Sequence, residues 1–96
     1  MERTETRKGF SYEEVRKGVI QCFATASGCP VSSLKAETNI YSELDWDSLD
    51  SLSLKMELEQ FFFIETSYQQ YLMSQTIGEF VDYIWDLLGK KSKSKQ

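Results

Sequence analysis

Two capping boxes, each followed by apolar residues at helical spacing, constrain the fold of this chain most strongly. Ser11 stands three residues before Glu14, so that each side chain can satisfy an exposed backbone N–H group at a helix start. Thr76 and Glu79 repeat the arrangement. Behind the boxes the apolar residues recur with helical period. They are Val15, Val19, Cys22, Phe23 and Ala26 in the first segment, and Ile77, Phe80, Val81, Ile84 and Leu88 in the second. The sequence therefore predicts a first helix over about 12–26 and a last helix behind Thr76.

A third apolar segment predicts a middle helix with two apolar faces. It begins near Asp47 or Ser48 and ends at about Phe62. One face carries Leu54, Leu58, Phe61 and Phe62, and the nearly opposite face carries Leu49, Leu52, Met56 and Phe63. A helix that packs on a single core needs only one apolar face. The second face is therefore expected to meet another element or a partner.

The long connection between the first two helices, residues 28–47, has no sustained period, and Gly28 and Pro30 end the first helix. Such a loop in a small domain is expected to be held by its own apolar residues. These are Val31, Leu34, Ile40, Tyr41 and Leu44. We expect an ordered crossover loop with a short helical turn near 31–34, and a short aromatic-rich helical segment over about 66–73.

The composition fits one small all-α domain. The 96 residues are 41% hydrophobic and 14% aromatic, which suffices for one core and excludes intrinsic disorder. The single proline and five glycines disfavour an all-β chain, and no apolar run approaches the roughly 20 residues that span a bilayer. We expect a small four-helix bundle of three main helices and one short helix over 10–89, with its last helix stopping at Gly89. A flexible segment at 1–9 and a disordered basic tail at 90–96 would flank this monomeric, cytoplasmic domain, since the N-terminus lacks a secretory signal.

Negative charge is concentrated within the domain. Residues 10–89 hold 13 acids and four bases, whereas residues 90–96 hold four lysines and no acid. The segment 43–59 carries six acids against Lys55 alone. An acidic surface repels nucleic acid and anionic lipid and attracts basic protein surfaces. We therefore expect partner proteins with basic patches, no nucleic acid and no membrane insertion.

The absence of histidine excludes several enzyme classes. Histidine triads, HExxH zinc sites and histidine general bases are all ruled out. Cys22 and Cys29 form neither a CxxC redox motif nor a four-ligand zinc pattern. We expect Cys22 to be buried and inert, no disulfide between the two cysteines, no metal site and no catalytic residue, so that the protein is not an enzyme.

Ser48 is the candidate functional residue, because it starts the middle helix inside the acidic segment, at the end of the long loop. The simplest interpretation is an N-cap that stabilises the helix. A calcium loop built from Asp45, Asp47 and Asp50 lacks the glycine and glutamate that an EF-hand requires. Nucleophilic catalysis lacks a histidine and a GxSxG elbow, and Lys55 lies about two helical turns away. A capping serine can also carry a function, so both interpretations stay open on local physics.

The motif at Ser48 resembles the acyl carrier proteins. The stretch DSLDSL at 47–52 opens an acidic helix that ends in LEQFF at 58–62. The preceding NIYSEL at 39–44 is similar to the loop of that family, and TIGEFVDYI at 76–84 is similar to its last helix. The resemblance covers about residues 10–88 and implies an all-α bundle of the acyl-carrier type.

The resemblance also implies a role for each matching position. Ser48 would be esterified through phosphate to 4′-phosphopantetheine, which a separate phosphopantetheinyl transferase delivers from coenzyme A. Asp47 would help to hold the magnesium of that transferase. The thiol of the arm would carry an acyl chain as a thioester, and acyl-transferring, condensing or other pathway enzymes would dock through basic patches. The docking residues would be Leu49, Asp50, Leu52, Met56, Glu57 and Glu59. Leu54, Leu58 and Phe62 would be core, together with Val15, Val19, Phe23, Phe80, Val81 and Ile84.

The chain also departs from the family pattern. Asp45 and Trp46 stand where the family often has glycine and a small or apolar residue, which favours a specialised fatty-acid, lipid or polyketide pathway. Trp46 would either contact the partner or the arm, or pack on the core as a loop aromatic. One alternative is an aminoacyl carrier of the D-alanyl or peptidyl type. The other is a non-carrier helical adaptor that binds a partner through Leu49, Leu52 and Met56.

Overall fold

The scaffold of the molecule is a set of three long helices, as predicted. A computed structural model describes residues 6–44 and 46–90. Within them the long helices are α1 (Tyr12–Ser27), α3 (Ser48–Phe62) and α5 (Ile77–Lys90). The short elements are β1 (Thr6–Arg7), β2 (Phe10–Ser11), a 3-10 turn (Val31–Ser33), α2 (Ile40–Glu43) and α4 (Tyr68–Met73). The all-α class is confirmed, and every helix of the described part is too short or too polar to cross a bilayer.

Both predicted capping boxes are present at helix starts. At α1 the Ser11 Oγ accepts from the Glu14 N–H at 3.1 Å, and the Ser11 N–H donates to Glu14 Oε1 at 2.9 Å. At α5 the Thr76 Oγ1 accepts from the Glu79 N–H at 3.2 Å. Gly28 ends α1 with a left-handed φ of 81°, a conformation that glycine adopts without steric cost. These local signals are why the first helix starts and ends where the sequence predicts.

A single core lies between the long helices. All nine predicted core side chains are completely buried, which confirms that list. Within the core, the rings of Phe23 and Phe80 meet edge to face, with their centroids 5.0 Å apart. Burial of each large apolar side chain contributes about 1.5–3 kcal/mol, so this core is the main source of stability.

The connection between α1 and α3 is held to the bundle by buried anchors and by backbone bonds. Leu34 and Ile40 are buried, and the Ile40 N–H donates to the carbonyl of Gln75, just before α5, at 2.8 Å. The predicted helical turn appears as the 3-10 turn. Val31 and Tyr41 are 46% and 42% exposed, so their prediction as anchors is wrong. Leu34 and Ile40 provide the buried contacts of this connection instead. The described part of the connection up to Leu44 is therefore held to the bundle.

A two-stranded hairpin precedes α1 and binds both α3 and α5 through its two basic side chains. The Lys8 ammonium donates to the carbonyls of Phe62 and Phe63 at the end of α3. The Arg7 guanidinium donates to the Trp85 carbonyl at 2.9 Å and lies 4.3 Å from the centre of the Trp85 ring. Cations are favourable at the negative ends of helix dipoles. The hairpin therefore stabilises the end of α3 that lies far from Ser48 and holds α5 through Trp85.

The hairpin occupies part of the segment expected to be flexible. Its two-residue turn is formed by Lys8 and Gly9, with φ of 56° and 86°, as a tight hairpin turn requires. Thr6 pairs with Ser11 across the strands. Residues 1–5 of the predicted flexible segment lie outside the described residues.

The last helix extends further than predicted. Gly89 lies within α5, which runs to Lys90, so the prediction of a stop at Gly89 is wrong. The glycine has a packing reason instead, because a Cβ atom there would lie 2.7 Å from Arg7 Nη1. Residues 91–96 of the predicted basic tail lie outside the described residues.

Candidate functional site

Asp47 caps helix α3. Its Oδ1 accepts from the N–H groups of Leu49 at 3.0 Å and Asp50 at 3.1 Å. In return, the Asp50 carboxylate accepts from the Asp47 N–H at 3.1 Å, which completes a reciprocal capping box. The interpretation of Ser48 as the N-cap is therefore wrong, since the carboxylate one residue earlier takes that position. Ser48 is instead the first residue of the helix.

The Ser48 side chain is exposed at the positive end of a long helix. Its hydroxyl makes no hydrogen bond with any other described residue, while its carbonyl accepts a long 3.4 Å bond from the Tyr68 hydroxyl. A helix N-terminus favours an attached negative group such as a phosphate. The exposed, unused hydroxyl can therefore accept a phosphate ester without disturbing the cap.

Trp46 fixes the chain immediately before this cap. The indole is only 6% exposed, and its ring centroid lies 5.1 Å from that of Phe23 on α1. Its Nε1–H donates to the buried Ser51 Oγ at 2.8 Å. Trp46 therefore packs on the core as a loop aromatic, the second of its two interpretations.

The predicted second apolar face of α3 is exposed. Leu49, Leu52 and Met56, together called the α3 stripe, are 71%, 45% and 62% exposed. Leu54 and Leu58 on the opposite face are fully buried. The prediction of a two-faced helix is confirmed, and the stripe leaves an apolar surface beside Ser48.

Glu59, one of the predicted docking acids, is bound within the molecule. Its Oε2 accepts from Lys55 Nζ at 2.9 Å and from the N–H and hydroxyl of Thr66 at 2.8 and 3.0 Å. Burial alone would raise the pKa of Glu59, but these bonds outweigh it and hold the pKa below its ordinary value. The Tyr71 hydroxyl lies 2.9 Å from the Thr66 hydroxyl. Sequence reasoning missed this cluster, because nothing in the sequence pairs Thr66 with a carboxylate seven residues earlier.

The similarity to known proteins identifies the family of the chain. A family model described as "Phosphopantetheine attachment site" matches residues 17–84, more than half of the chain. The chain belongs to this family. A curated relative, the acyl carrier protein of Acidothermus cellulolyticus, is 28% identical over 74 residues, which cover 77% of this chain and 88% of the relative. The resemblance to acyl carrier proteins is thereby confirmed.

The family defines the cofactor of this carrier. The carrier has a covalently attached 4′-phosphopantetheine prosthetic group, as the resemblance implies. The chain offers a fitting acceptor, because Ser48 exposes an unused hydroxyl at a helix start. Among the residues that the structure describes, no three cysteine, aspartate or glutamate side chains are grouped so that they could hold a metal ion.

The two cysteines of the carrier are free thiols. Cys22 is buried on α1, and burial, helped by the negative charge of Glu57, raises the pKa of its thiol to about 12. Such a thiol is almost entirely protonated at neutral pH and is a poor nucleophile. Cys22 is therefore a buried thiol of low reactivity, as expected from its place on the apolar face of α1.

Proposed function

We propose that Ser48 carries the 4′-phosphopantetheine arm and that the protein carries an acyl chain as a thioester on the thiol of that arm. One observation carries this proposal. The Ser48 hydroxyl is exposed in the first turn of α3, while Asp47 does the capping that a serine usually does there. A side chain freed from structural work at this place is available to a modifying enzyme.

The chemistry of attachment follows from the position of the hydroxyl. The Ser48 oxygen attacks the phosphorus atom that joins pantetheine to the nucleotide part of coenzyme A. The bond from phosphorus to the nucleotide oxygen breaks, adenosine 3′,5′-bisphosphate leaves, and the serine proton passes to a base of the transferase. Asp47 is proposed to help hold the magnesium of the transferase. Its Oδ2 makes no hydrogen bond with any described residue, which supports this role.

The α3 stripe and its acidic neighbours are proposed to dock the transferase and the pathway enzymes. The exposed apolar side chains offer a contact surface beside the arm, and Asp50 and Glu57 add negative charge to it. Partners with basic patches would bind weakly and quickly, which suits a carrier that visits several enzymes. The Glu59 carboxylate is already bound to Lys55 and Thr66. Glu59 is therefore proposed to act through the summed electrostatic field of the acids and not through a direct ion pair with a partner.

The pathway is proposed to be a specialised one for fatty acids, lipids or polyketides, in the cytoplasm. The carrier would act there as a monomer without catalytic activity of its own. Support comes from Trp46, a bulky residue that takes a buried place next to the attachment motif. Lys55, which stands where the acyl carrier proteins that the chain resembles usually have an apolar residue, pairs with Glu59.

Intact mass measurement tests the attachment. The full chain, incubated with coenzyme A and a broad-range phosphopantetheinyl transferase, is expected to gain the mass of one arm. Ser48→Ala should gain nothing, whereas Ser53→Ala, which removes an exposed serine of the same helix, should be modified normally. A folded wild type that stays bare, or modification of Ser48→Ala, contradicts the proposal.

Identifying the group on the arm separates the acyl carrier from its alternatives. Protein purified from its native host should yield an acyl thioester when the arm is fragmented in the mass spectrometer. An amino acid on the thiol would favour the aminoacyl carrier. Partner binding that survives Ser48→Ala in a protein that is never modified would favour the adaptor.

A further inference from the structure

We propose that Trp46 and Ser51 are positioning residues that hold Ser48 in the orientation that the transferase needs. This inference rests on the proposed attachment at Ser48. The two side chains are joined by one hydrogen bond, which spans the cap and the attachment position in the chain. The bond joins the residue before the cap to the first turn of α3, with the cap and Ser48 between its two ends.

The bond is buried at both ends, whereas the residues it encloses are not. Trp46 and Ser51 are 6% and 1% exposed. Between them, Asp47, Ser48 and Leu49 are exposed, so few side-chain contacts fix their orientation. Their geometry must therefore come from the cap and from the two buried residues on either side.

The indole also connects residues 46–51 to the rest of the bundle. Its ring packs on Phe23 of α1, so the residue two places before Ser48 is attached to a second long helix. The Ser51 N–H donates to the Asp47 carbonyl at 3.2 Å and adds a backbone bond inside the same segment. A displacement of about 1 Å at a reacting group can lower a rate by about 100-fold, so such anchoring is chemically significant.

Helix stability alone does not explain this pair. Serine has a lower helix propensity than alanine, and a buried serine hydroxyl requires a hydrogen-bond partner. A buried indole N–H likewise requires an acceptor. Each group satisfies the other, and the described residues leave no buried side-chain nitrogen or oxygen unpaired. An apolar pair would fill the same place without this requirement, but it would not fix the direction of the chain before Ser48.

Transferase kinetics on the full chain test the inference. Ser51→Ala and Trp46→Phe each remove the hydrogen bond while keeping most of the packing. Each is expected to lower kcat by about tenfold with little change in KM, because the α3 stripe remains in place. Ser51→Thr keeps the hydroxyl and should restore kcat. The double variant should be no slower than the slower single variant, since both changes remove one bond.

Two controls separate positioning from general destabilisation. Ser53→Ala, at an exposed position of the same helix, should keep the wild-type kcat. Amide hydrogen exchange at Leu49 and Asp50 should become faster in Ser51→Ala but stay unchanged in Ser53→Ala, whether or not a transferase is present. Should Ser51→Ala fail to fold, Trp46→Phe and Ser51→Thr still carry the comparison.

The inference is overturned if a folded variant without the bond is modified at the wild-type rate, or if only its KM changes. Unchanged amide exchange in both variants would also overturn it. A wild-type chain that the transferase never modifies is a different result, because it contradicts the attachment at Ser48 itself. The two failures are therefore distinguishable in one set of experiments.

Discussion

Phe63, directly after α3, is the residue whose side chain and backbone conformation fit together least well. Its backbone is left-handed, with φ 56° and ψ 51°, at a position where glycine is the usual residue. A side chain with a Cβ atom pays about 1–2 kcal/mol for this conformation. The ring gains little in return, since it is 79% exposed. The helix end is therefore held by the backbone bond from the Phe63 N–H to the Glu59 carbonyl and by the bond from the Lys8 ammonium to the Phe63 carbonyl.

Replacing Phe63 by glycine is expected to stabilise the protein. Phe63→Gly should raise the free energy of unfolding by about 1 kcal/mol relative to Phe63→Ala, because both remove the ring but only glycine relieves the backbone. Urea unfolding measures this as a higher midpoint at an unchanged slope. Equal midpoints for the two variants would show that the left-handed backbone costs nothing here.

At the same scale, the sequence does not predict the local bonds around Ser48. Asp47 and Ser48 are both good N-caps and stand side by side, so local chemistry alone does not decide which one caps. Trp46 and Ser51 are five residues apart, which matches no helical neighbour spacing. Their bond depends on how the loop packs against Phe23, and this is a tertiary contact.

Among the elements, α3 and the segment before α4 are joined by a polar cluster around one carboxylate. Glu59 on the last turn of α3 binds Thr66 just before α4, and Thr66 in turn lies beside the hydroxyl of the buried Tyr71 on α4. Burial raises the pKa of Tyr71, so this hydroxyl stays neutral and serves as a hydrogen-bonding group. The cluster fixes the short helix, which has few other polar contacts, onto the long one.

The pH dependence of stability tests this cluster. The Glu59 pKa is lowered by folding, so its contribution is present above the unfolded value of about 4.3 and is lost as pH falls through the folded pKa. Glu59→Gln should reduce the free energy of unfolding by about 1 kcal/mol at pH 7 and lose less stability on acidification. The two curves, measured by urea unfolding, should converge at low pH. Glu57→Gln serves as the matched control, and a similar loss there would argue against a specific role for Glu59.

The elements differ in how far the sequence predicts them. The three long helices follow from apolar periodicity and capping residues, and both signals are local. The hairpin strands and α2 are two to four residues long, which is too short for a period to appear. Gly89 shows the same limit, since its close approach to Arg7 is made by residues that are distant in sequence.

The whole molecule separates its charges along α3. The acids Asp47 and Asp50 lie at the Ser48 end, whereas Lys8 of the hairpin meets the opposite end of α3. A 15-residue helix is about 22 Å long, more than twice the screening length of about 10 Å at 0.1 M salt. An approaching basic partner is therefore attracted to the attachment end.

Salt should weaken the approach of the transferase more than the chemical step. Raising the salt concentration from about 0.05 to about 0.5 M is expected to increase the KM for the carrier several-fold and to leave kcat nearly unchanged. Neutralising one acid of the proposed docking surface, as in Glu57→Gln, should reduce this dependence slightly. Lys17→Gln on α1 should not. A KM that ignores salt would contradict electrostatic docking.

The hairpin also determines how the protein can be handled without blocking its arm. Since Lys8 contacts the carbonyls at the far end of α3, the hairpin lies on the side of the bundle away from Ser48. A bead, sensor surface or fused reporter joined there would leave the attachment end facing outward. Immobilisation through the hairpin should thus leave the Ser48 end accessible in every molecule.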